Sequence, residues 1–236
     1  PFRNQQAITL LSIIIHLVKT QDGLYQHLAG VRYFLTILRV NPKELETYLK
    51  RIPHHEIYLE YQAFLNLDEK VKAGVVATVL AALQLLTDST VARVTAHDSI
   101  NFEALRKKPM AIFIQNPISD QGYYTTITSI FIEQLLQHLL YKLPQSKDLP
   151  VHLLIDEASS LYLPSLSIAI ANVRKYRTSI LLALQDFSQL VSRYGQEQAQ
   201  TIKSNCFSKL YFTGQSLRTA YELEQSLGLA PRTDID

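Results

Sequence analysis

Two adjacent carboxylates are the residues of this sequence best suited to chemistry. Asp156 and Glu157 directly follow Val151–Ile155, a largely apolar run that predicts a buried β-strand. Ligands of open α/β sheets bind at the carboxyl ends of strands, and two acids there are unfavourable without a positive partner. A Mg²⁺-nucleotide supplies that partner: Asp156 would hold the metal, directly or through water, and Glu157 would orient and deprotonate the water that attacks the γ-phosphate. The alternative is a strand end whose two exposed acids cap the next turn.

A further polar residue follows the next predicted strand. Gln185 comes directly after Ser179–Leu184, so in a parallel sheet it can sit beside Glu157 and contact the γ-phosphate or its water. A loop glutamine satisfied by backbone groups is the alternative. The helix before this strand ends in a basic cluster that includes Arg174 and Arg177. One interpretation is that these cations interact favourably with the negative end of the helix dipole, so the cluster would then be structural. The other interpretation is that the cluster supplies an arginine finger that contacts the nucleotide of a neighbouring subunit.

The loop that usually holds the phosphates of ATP is missing from the sequence. No G-x-x-x-x-G-K-[ST] pattern occurs, and none of the seven glycines is followed by lysine. A chain without this loop is either not an ATPase or only part of one. The start at Pro1 rather than methionine favours a piece of a longer protein. We therefore expect this chain alone to show no measurable ATPase activity and to be mainly monomeric.

The composition excludes several classes of protein. With 236 residues, 47% of them hydrophobic, and a net charge of +2, the chain suits one large domain or two small ones and is too apolar for disorder. Its one cysteine, Cys206, excludes an internal disulfide framework and is expected to be buried and inert. The longest apolar stretches are far shorter than the ~20 residues of a membrane span, so we expect this stretch of chain to be soluble. With 23 basic and 21 acidic residues, bulk charge gives no sign of nucleic-acid binding.

The order of apolar patterns predicts two parts. Residues 1–66 show helical spacing throughout, including a helix that begins at Asn41-Pro42, and predict a small all-α domain. Residues 67–236 begin with a long helix capped by Asp68 and then alternate helical patterns with short buried runs, which predicts an α/β domain with a parallel sheet flanked by helices. The predicted strands are Val91–Thr95, Met110–Gln115, Val151–Ile155, Ser179–Leu184 and Leu210–Thr213.

A short basic cluster precedes the second of these strands. Arg106, Lys107 and Lys108 are consecutive, and we expect them to lie in a solvated loop. Contact with the phosphate backbone of DNA is the alternative.

The later part of the chain also carries a family resemblance. The segments LLIDEASSL, VRKYRTSILLALQDFSQLVSRYG and AQTIKSNCFSKLYFTGQSLRTAYELEQSLG resemble the conjugative coupling proteins of the TraG/TraD kind. These are the DNA-pumping ATPases of type IV secretion, within the FtsK-like and RecA-like group. The family order is a strand, Asp-Glu, a helix, Gly-Arg-Lys-Tyr-Gly, a strand, Leu-Gln, Ser-Gln-Leu and Tyr-Gly. The resemblance covers essentially the whole chain and implies a partial RecA-like nucleotide-binding domain preceded by the family's all-α domain.

Specific roles follow from the resemblance only at matching positions. Asp156 and Glu157 match the family's Walker B acids, so the resemblance implies Mg²⁺ binding by the first and catalysis by the second. Arg174 matches the arginine of the trans-acting finger, and Gln185 matches the γ-phosphate sensor. The resemblance also implies that the phosphate loop lies upstream of the given residues.

Two departures from the family pattern affect the arginine finger. The glycine before the finger arginine is Val173 here, and the glycine after Lys-Tyr is Arg177. Either Arg174 or Arg177 is therefore a candidate for the finger.

The resemblance further implies the partners of the whole protein. Family members assemble as hexamers at the cytoplasmic face of the bacterial inner membrane, use ATP, and bind DNA with little sequence preference. They hand a relaxase-bound strand from the relaxosome to the type IV secretion channel, and their all-α domain is associated with recognising this cargo. The alternative function is a non-catalytic module that docks relaxase or an accessory protein.

Overall fold

The first part of the chain is built from helices whose apolar residues recur at helical spacing. Asn41 begins one of them as predicted, because its side chain accepts a hydrogen bond from the Glu44 N–H and Pro42 occupies the first turn. Asp68 begins another by accepting a hydrogen bond from the Lys70 N–H. The structure, a computed structural model, describes residues 2–21, 23–117 and 120–228. The helices of this part are α1 (Phe2–Lys19), α2 (Leu28–Val40), α3 (Pro42–Leu49), α4 (His55–Leu65), α5 (Glu69–Ala82) and α6 (Ser89–Val94).

The packing of these helices divides the chain into two compact units, Pro1–Ile100 and Asn101–Asp236. Phe34 is fully buried at the centre of the first unit. Helix α5 packs along α1 and contributes Val75 to the same core. The boundary that the sequence predicts near Asn66 therefore falls inside the first unit, because the apolar face of α5 is buried against the helices that precede it.

The run Val91–Thr95 is almost entirely helical, and the prediction of a strand there is wrong. The Asp88 carboxylate accepts hydrogen bonds from the N–H groups of Thr90, at 2.7 Å, and Val91, at 3.4 Å, and so caps α6. The Thr95 hydroxyl donates to the Val91 carbonyl at 2.9 Å, one turn earlier. These local hydrogen bonds outweigh the β-propensity of the valines and threonines.

The second unit alternates helices with a parallel pair of strands. Its elements are α7 (Gln121–Tyr141), β1 (Val151–Ile155), α8 (Leu166–Asn172), β2 (Thr178–Leu182), α9 (Phe187–Tyr194), α10 (Gln196–Asn205) and α11 (Leu217–Leu227). In the sheet, Val151 lies opposite Thr178 and Ile155 lies opposite Leu182. The predicted α/β fold with a parallel sheet and flanking helices is confirmed. Each helix within the described ranges is too short or too polar to cross a lipid bilayer.

Two further predicted strands, Met110–Gln115 and Leu210–Thr213, pair with no strand in the part of the chain that the structure describes. Their side chains are open to solvent: Phe113 is 85% exposed and Phe212 is 73% exposed. Runs that are apolar on both faces form strands when neighbours cover both faces and supply hydrogen bonds. Neither condition holds here, so the strand predictions at these two places are wrong.

Arg106 joins the segments that enter both strands. Its guanidinium donates to the carbonyl oxygens of Leu149, at 3.2 Å, and Tyr176, at 2.8 Å, and to Oγ1 of Thr178 at 3.0 Å. The residue is only 9% exposed, and this burial lowers the pKa of the guanidinium. The prediction of a solvated loop is therefore wrong for Arg106, which has a structural role.

The other two members of the basic cluster lie closer to solvent. Nζ of Lys107 lies 2.6 Å from Oδ1 of Asp148, and this hydrogen bond lowers the pKa of the Asp148 carboxyl. Lys108 is exposed. Of the three basic side chains, only that of Lys108 remains free to contact another molecule without breaking a contact in the described part of the chain.

Candidate active site

The site is formed where β1 ends and the chain turns sharply. Beyond the last strand pair, the Ala183 N–H donates to the Ile155 carbonyl at 2.9 Å, and the Ala158 N–H donates to the Ala183 carbonyl at 3.0 Å. Between these bonds, Glu157 adopts a left-handed backbone conformation with φ 51° and ψ 49°. A side chain in this conformation costs about 1 kcal/mol relative to a right-handed one. The two acids lie at the carboxyl end of the sheet because they directly follow β1.

Polar side chains contact the Glu157 carboxylate on both of its oxygens. Nε2 of Gln185 donates to Oε2 at 2.8 Å, from the segment that follows β2. The Ser159 hydroxyl lies 2.9 Å from Oε1. The structure therefore brings together Glu157 and Gln185, which are 28 residues apart in sequence. Their contact follows from the parallel register, which places the carboxyl ends of β1 and β2 side by side.

The Asp156 carboxylate can still accept further hydrogen bonds from solvent. One of its oxygens, Oδ1, accepts a hydrogen bond from the Glu157 N–H at 3.0 Å, and the residue is exposed. Neither Asp156 nor Glu157 forms a salt bridge with any residue that the structure describes. Two adjacent carboxylates without a cationic partner, one of them exposed and the other partly buried, fit Mg²⁺, which prefers oxygen ligands.

The donor set also indicates how such an ion would be held. Within the described ranges, no three His, Cys, Asp or Glu side chains come together as a metal-binding group. Mg²⁺ in nucleotide sites is commonly bound by one or two carboxylates, with substrate phosphates and waters completing its coordination. The site therefore fits a Mg²⁺ ion that arrives with a nucleotide better than one held by protein ligands alone.

Arg174 lies at the other end of the sheet from Glu157. It belongs to the 3₁₀ turn Val173–Tyr176, which leads into the amino end of β2, whereas Glu157 follows the carboxyl end of the parallel strand β1. Five residues of strand separate the two ends, or about 13 Å. The Arg174 side chain is exposed and makes no hydrogen bond or ion pair with the residues that the structure describes. The structure does not bring Arg174 to Glu157 within one chain.

The Arg177 side chain is held by hydrogen bonds within the second unit. Its Nη1 donates to the carbonyl oxygens of Gln145, at 3.3 Å, and Ser146, at 3.0 Å. Its backbone is left-handed, with φ 48° and ψ 43°, which is the conformation that favours the glycine of the family pattern at this position. The two side-chain hydrogen bonds help to offset the strain of an arginine there. Of the two finger candidates, Arg174 is the one left free.

Several residues near the Glu157 carboxylate were not predicted from the sequence. Gln189 and Arg193 of α9 contact Ser159, and Asp186 caps α9 by accepting from the Ser188 N–H at 2.7 Å. Asp-x-Ser before an apolar run is an N-cap signal that identifies Asp186. No sequence signal links α9 to Ser159, because that contact depends on tertiary packing across about 30 residues.

Hydrogen bonding keeps the Asp186 carboxylate ionised. The Ser188 hydroxyl contributes most, followed by Ser216, and together with a weaker contribution from Thr219 they lower the pKa of Asp186 to about 2. Oδ2 of Asp186 accepts from the Thr219 hydroxyl at 3.4 Å. Asp186 thus connects the segment that carries Gln185 with the first turn of α11.

Comparison with known proteins gives the fold and the family. The structure matches the plasmid coupling protein TrwB in complex with the non-hydrolysable GTP analogue GDPNP, with a TM-score of 0.65, 20% identity, and coverage of 94% of this chain and 57% of that one. It also matches TrwB in complex with ADP and Mg²⁺, with a TM-score of 0.59, 18% identity, and coverage of 86% and 52%. The chain thus spans about half of the TrwB chains that it matches, and at this identity the likeness shows the fold. Comparison with curated protein sequences found no match.

The family is shown by a separate comparison of sequence. A family model described as type IV secretory system conjugative DNA transfer matches residues 3–233. This confirms the resemblance, including its extent over essentially the whole chain. The chain therefore belongs to the type IV secretion conjugative DNA transfer family, the coupling proteins of the TraG/TraD type.

Proposed function

We propose that this chain contributes the hydrolytic half of an ATP-driven motor that moves DNA from a relaxosome into a type IV secretion channel. The observation that carries the proposal is the Glu157 carboxylate, held on both oxygens at the carboxyl end of the parallel sheet, beside an exposed Asp156. Carboxylates fixed at that edge suit the activation of water next to a nucleotide. The TrwB structures that share the fold contain GTP and ATP analogues and ADP with Mg²⁺, which supports nucleotide as the ligand.

Each residue of the site has a distinct role in this proposal. Glu157 accepts a proton from the attacking water, and Gln185 holds the carboxylate while its amide faces the γ-phosphate or that water. Asp156 holds Mg²⁺, directly or through water, with its exposed carboxylate. When bound, Mg²⁺ neutralises negative charge on the phosphates.

The proposal places Arg174 in the site of a neighbouring subunit. Its free guanidinium and its place at the opposite end of the sheet from Glu157 suit a contact with a nucleotide bound by another copy. A guanidinium donates two parallel hydrogen bonds to phosphate oxygens and stabilises their charge in the transition state. A ring of subunits, a hexamer by family resemblance, would give every Glu157 such a partner.

A phosphate-binding loop is also needed, and the printed sequence contains none. We propose that residues outside this sequence supply it, so the chain alone binds ATP weakly and does not hydrolyse it. By the same family resemblance, the motor acts at the cytoplasmic face of the inner membrane. It contacts the DNA backbone with little sequence preference, and its partners are the relaxase and the secretion channel.

Replacement of Glu157 by glutamine tests the proposal in the complete gene product. Glu157→Gln removes the base but keeps the size of the side chain, so we expect DNA-stimulated ATP hydrolysis to be abolished while ATP binding is retained. Hydrolysis is measured by phosphate release and binding by a fluorescent ATP analogue.

Glu197→Gln is the matched control, because Glu197 is an exposed acid in the first turn of α10. We expect this variant to keep its turnover. Unchanged turnover in Glu157→Gln would refute the hydrolytic role of Glu157. Absence of DNA-stimulated ATP hydrolysis in the unsubstituted protein would favour the non-catalytic docking module.

A further inference from the structure

The Ser159 hydroxyl lies between two side chains that can accept its proton. It is 2.9 Å from Oε1 of Glu157 and 3.0 Å from Oε1 of Gln189. A serine hydroxyl carries only one proton, so it cannot donate to both oxygens at once. Because the oxygen and nitrogen of an amide are nearly the same size, turning the Gln189 amide by 180° places its NH₂ group at the same distance. Only that arrangement satisfies all three groups, with Gln189 donating to Ser159 and Ser159 donating to Glu157.

Helix α9 also fixes the backbone on which Ser159 is carried. Nε of Arg193 donates to the Ser159 carbonyl at 3.2 Å, and its Nη2 donates to the Ser160 carbonyl at 3.0 Å. Gln189 and Arg193 are four residues apart and therefore lie on the same face of α9. One helix face thus holds both the side chain and the main chain of Ser159.

The carboxylate of Glu157 needs a second contact to be held in one orientation. Gln185 contacts Oε2 alone, and a single hydrogen bond leaves the carboxylate free to rotate about its terminal torsion. The Ser159 hydrogen bond to Oε1 removes that freedom. A general base works efficiently only when its acceptor oxygen is directed at the proton that it removes.

We propose that Ser159 is a positioning residue for Glu157 and that Gln189 sets the direction of the Ser159 hydroxyl proton. This inference rests on the proposed function, because orientation of the carboxylate matters to rate only if Glu157 is the base. It assigns to α9 a part in catalysis through the chain of hydrogen bonds from Gln189 to Ser159 to Glu157.

Substitution of Ser159 tests the hydrogen bond in the complete gene product. In Ser159→Ala we expect kcat for DNA-stimulated ATP hydrolysis to fall about tenfold, the effect of losing one hydrogen bond to a charged acceptor, with KM for ATP unchanged. Ser159→Thr keeps the hydroxyl and should restore kcat to within about twofold to threefold. Ser160→Ala is the matched control, because Ser160 lies in the same turn and contributes only backbone groups to the hydrogen bonds described above. Equal losses in the Ala and Thr variants of Ser159, or a rise in KM in place of a fall in kcat, would overturn the proposal.

A double-mutant cycle tests whether Gln189 acts through Ser159. Gln189→Ala alone should lower kcat by less than Ser159→Ala, and in the Ser159→Ala background it should have no further effect. Additive losses would refute the chain of hydrogen bonds.

The Glu157→Gln variant separates the two proposals. If it is inactive while Ser159→Ala keeps kcat within twofold of the unsubstituted protein, only the present inference fails. If it retains full turnover, the proposed function fails and this inference fails with it.

Discussion

Arg106 gives the sharpest prediction about what holds the second unit together. Its guanidinium donates three hydrogen bonds, to the carbonyls of Leu149 and Tyr176 and to the hydroxyl of Thr178, so it connects the two segments that enter the sheet. Arg106→Ala removes all three of these hydrogen bonds, and the Tyr176 carbonyl then keeps the one that it accepts from the Thr178 hydroxyl. The parallel pair then loses the group that fixes its amino end.

The magnitude follows from the number and type of these bonds. A hydrogen bond from a charged donor contributes roughly 1.5–3 kcal/mol, and the three distances of 2.8–3.2 Å are all within normal range. Burial of the guanidinium opposes this gain, since it removes the charge from water. We therefore expect Arg106→Ala to lower the free energy of unfolding by about 3–4 kcal/mol, which is less than the sum of the three bonds because burial of the charge offsets part of their gain. Arg106→Lys should recover about half, because an ammonium cannot reach all three acceptors.

Hydrogen exchange measured at increasing urea concentrations provides the assay, because it reports the stability of each of the two units separately. The exchange of amides in Val151–Ile155 and Thr178–Leu182 reports the stability of the sheet, and amides of the first unit should be unaffected. Lys108→Ala is the control, since Lys108 is the exposed member of the same basic cluster. A loss below about 1 kcal/mol in Arg106→Ala, or full stability in Arg106→Lys, would refute the reasoning.

Three further predictions concern titration, packing and the arginine finger. Because the folded-state pKa of Asp186 is about 2, against 3.8 for an unperturbed aspartate, its contribution to stability is present above pH ~4 and lost as pH falls toward 2. Asp186→Asn should remove this acid-dependent loss, about 1–2 kcal/mol in urea titrations across that range after allowance for solvent screening of this partly exposed group. Gly30→Ala should destabilise the first unit by about 1–3 kcal/mol, since the new Cβ would lie 2.0 Å from the Tyr25 carbonyl oxygen, whereas Gly122→Ala meets no atom within 4 Å and should be neutral in thermal melts. In the complete gene product, Arg174→Ala should lower ATP turnover on the order of a thousandfold. A normal rate for that variant would exclude Arg174 as the finger.

Local patterns in the sequence predict part of the fold and of the site. The apolar run before Asp156 forms β1, and the contact of Gln185 with Glu157 follows from the order of strands in a parallel sheet. The cap at Asn41 is also visible as an Asn-Pro pair. In each of these cases, neighbouring residues or a general rule of topology determine the outcome.

The features that the sequence did not reveal depend on distant or competing contacts. Arg106 bonds to residues 43, 70 and 72 positions away, so its burial is invisible to any local pattern. The strand predicted at Val91–Thr95 gave way to a helix because one side chain, Asp88, caps two backbone N–H groups. Ser159 and Gln189 come together only through the packing of α9 beneath the turn that carries Glu157.

The left-handed backbone of Glu157 has a consequence for protein engineering. A glycine or asparagine at this position would relieve the strain of the φ of 51°, but it would also lose the hydrogen bonds that the Glu157 carboxylate accepts from Gln185 and Ser159. The backbone torsion therefore favours a small residue, whereas the hydrogen bonds favour glutamate, the residue that we assign as the base. Libraries screened by melting temperature should keep position 157 fixed, since any stability gained from the backbone there would be gained at the expense of turnover.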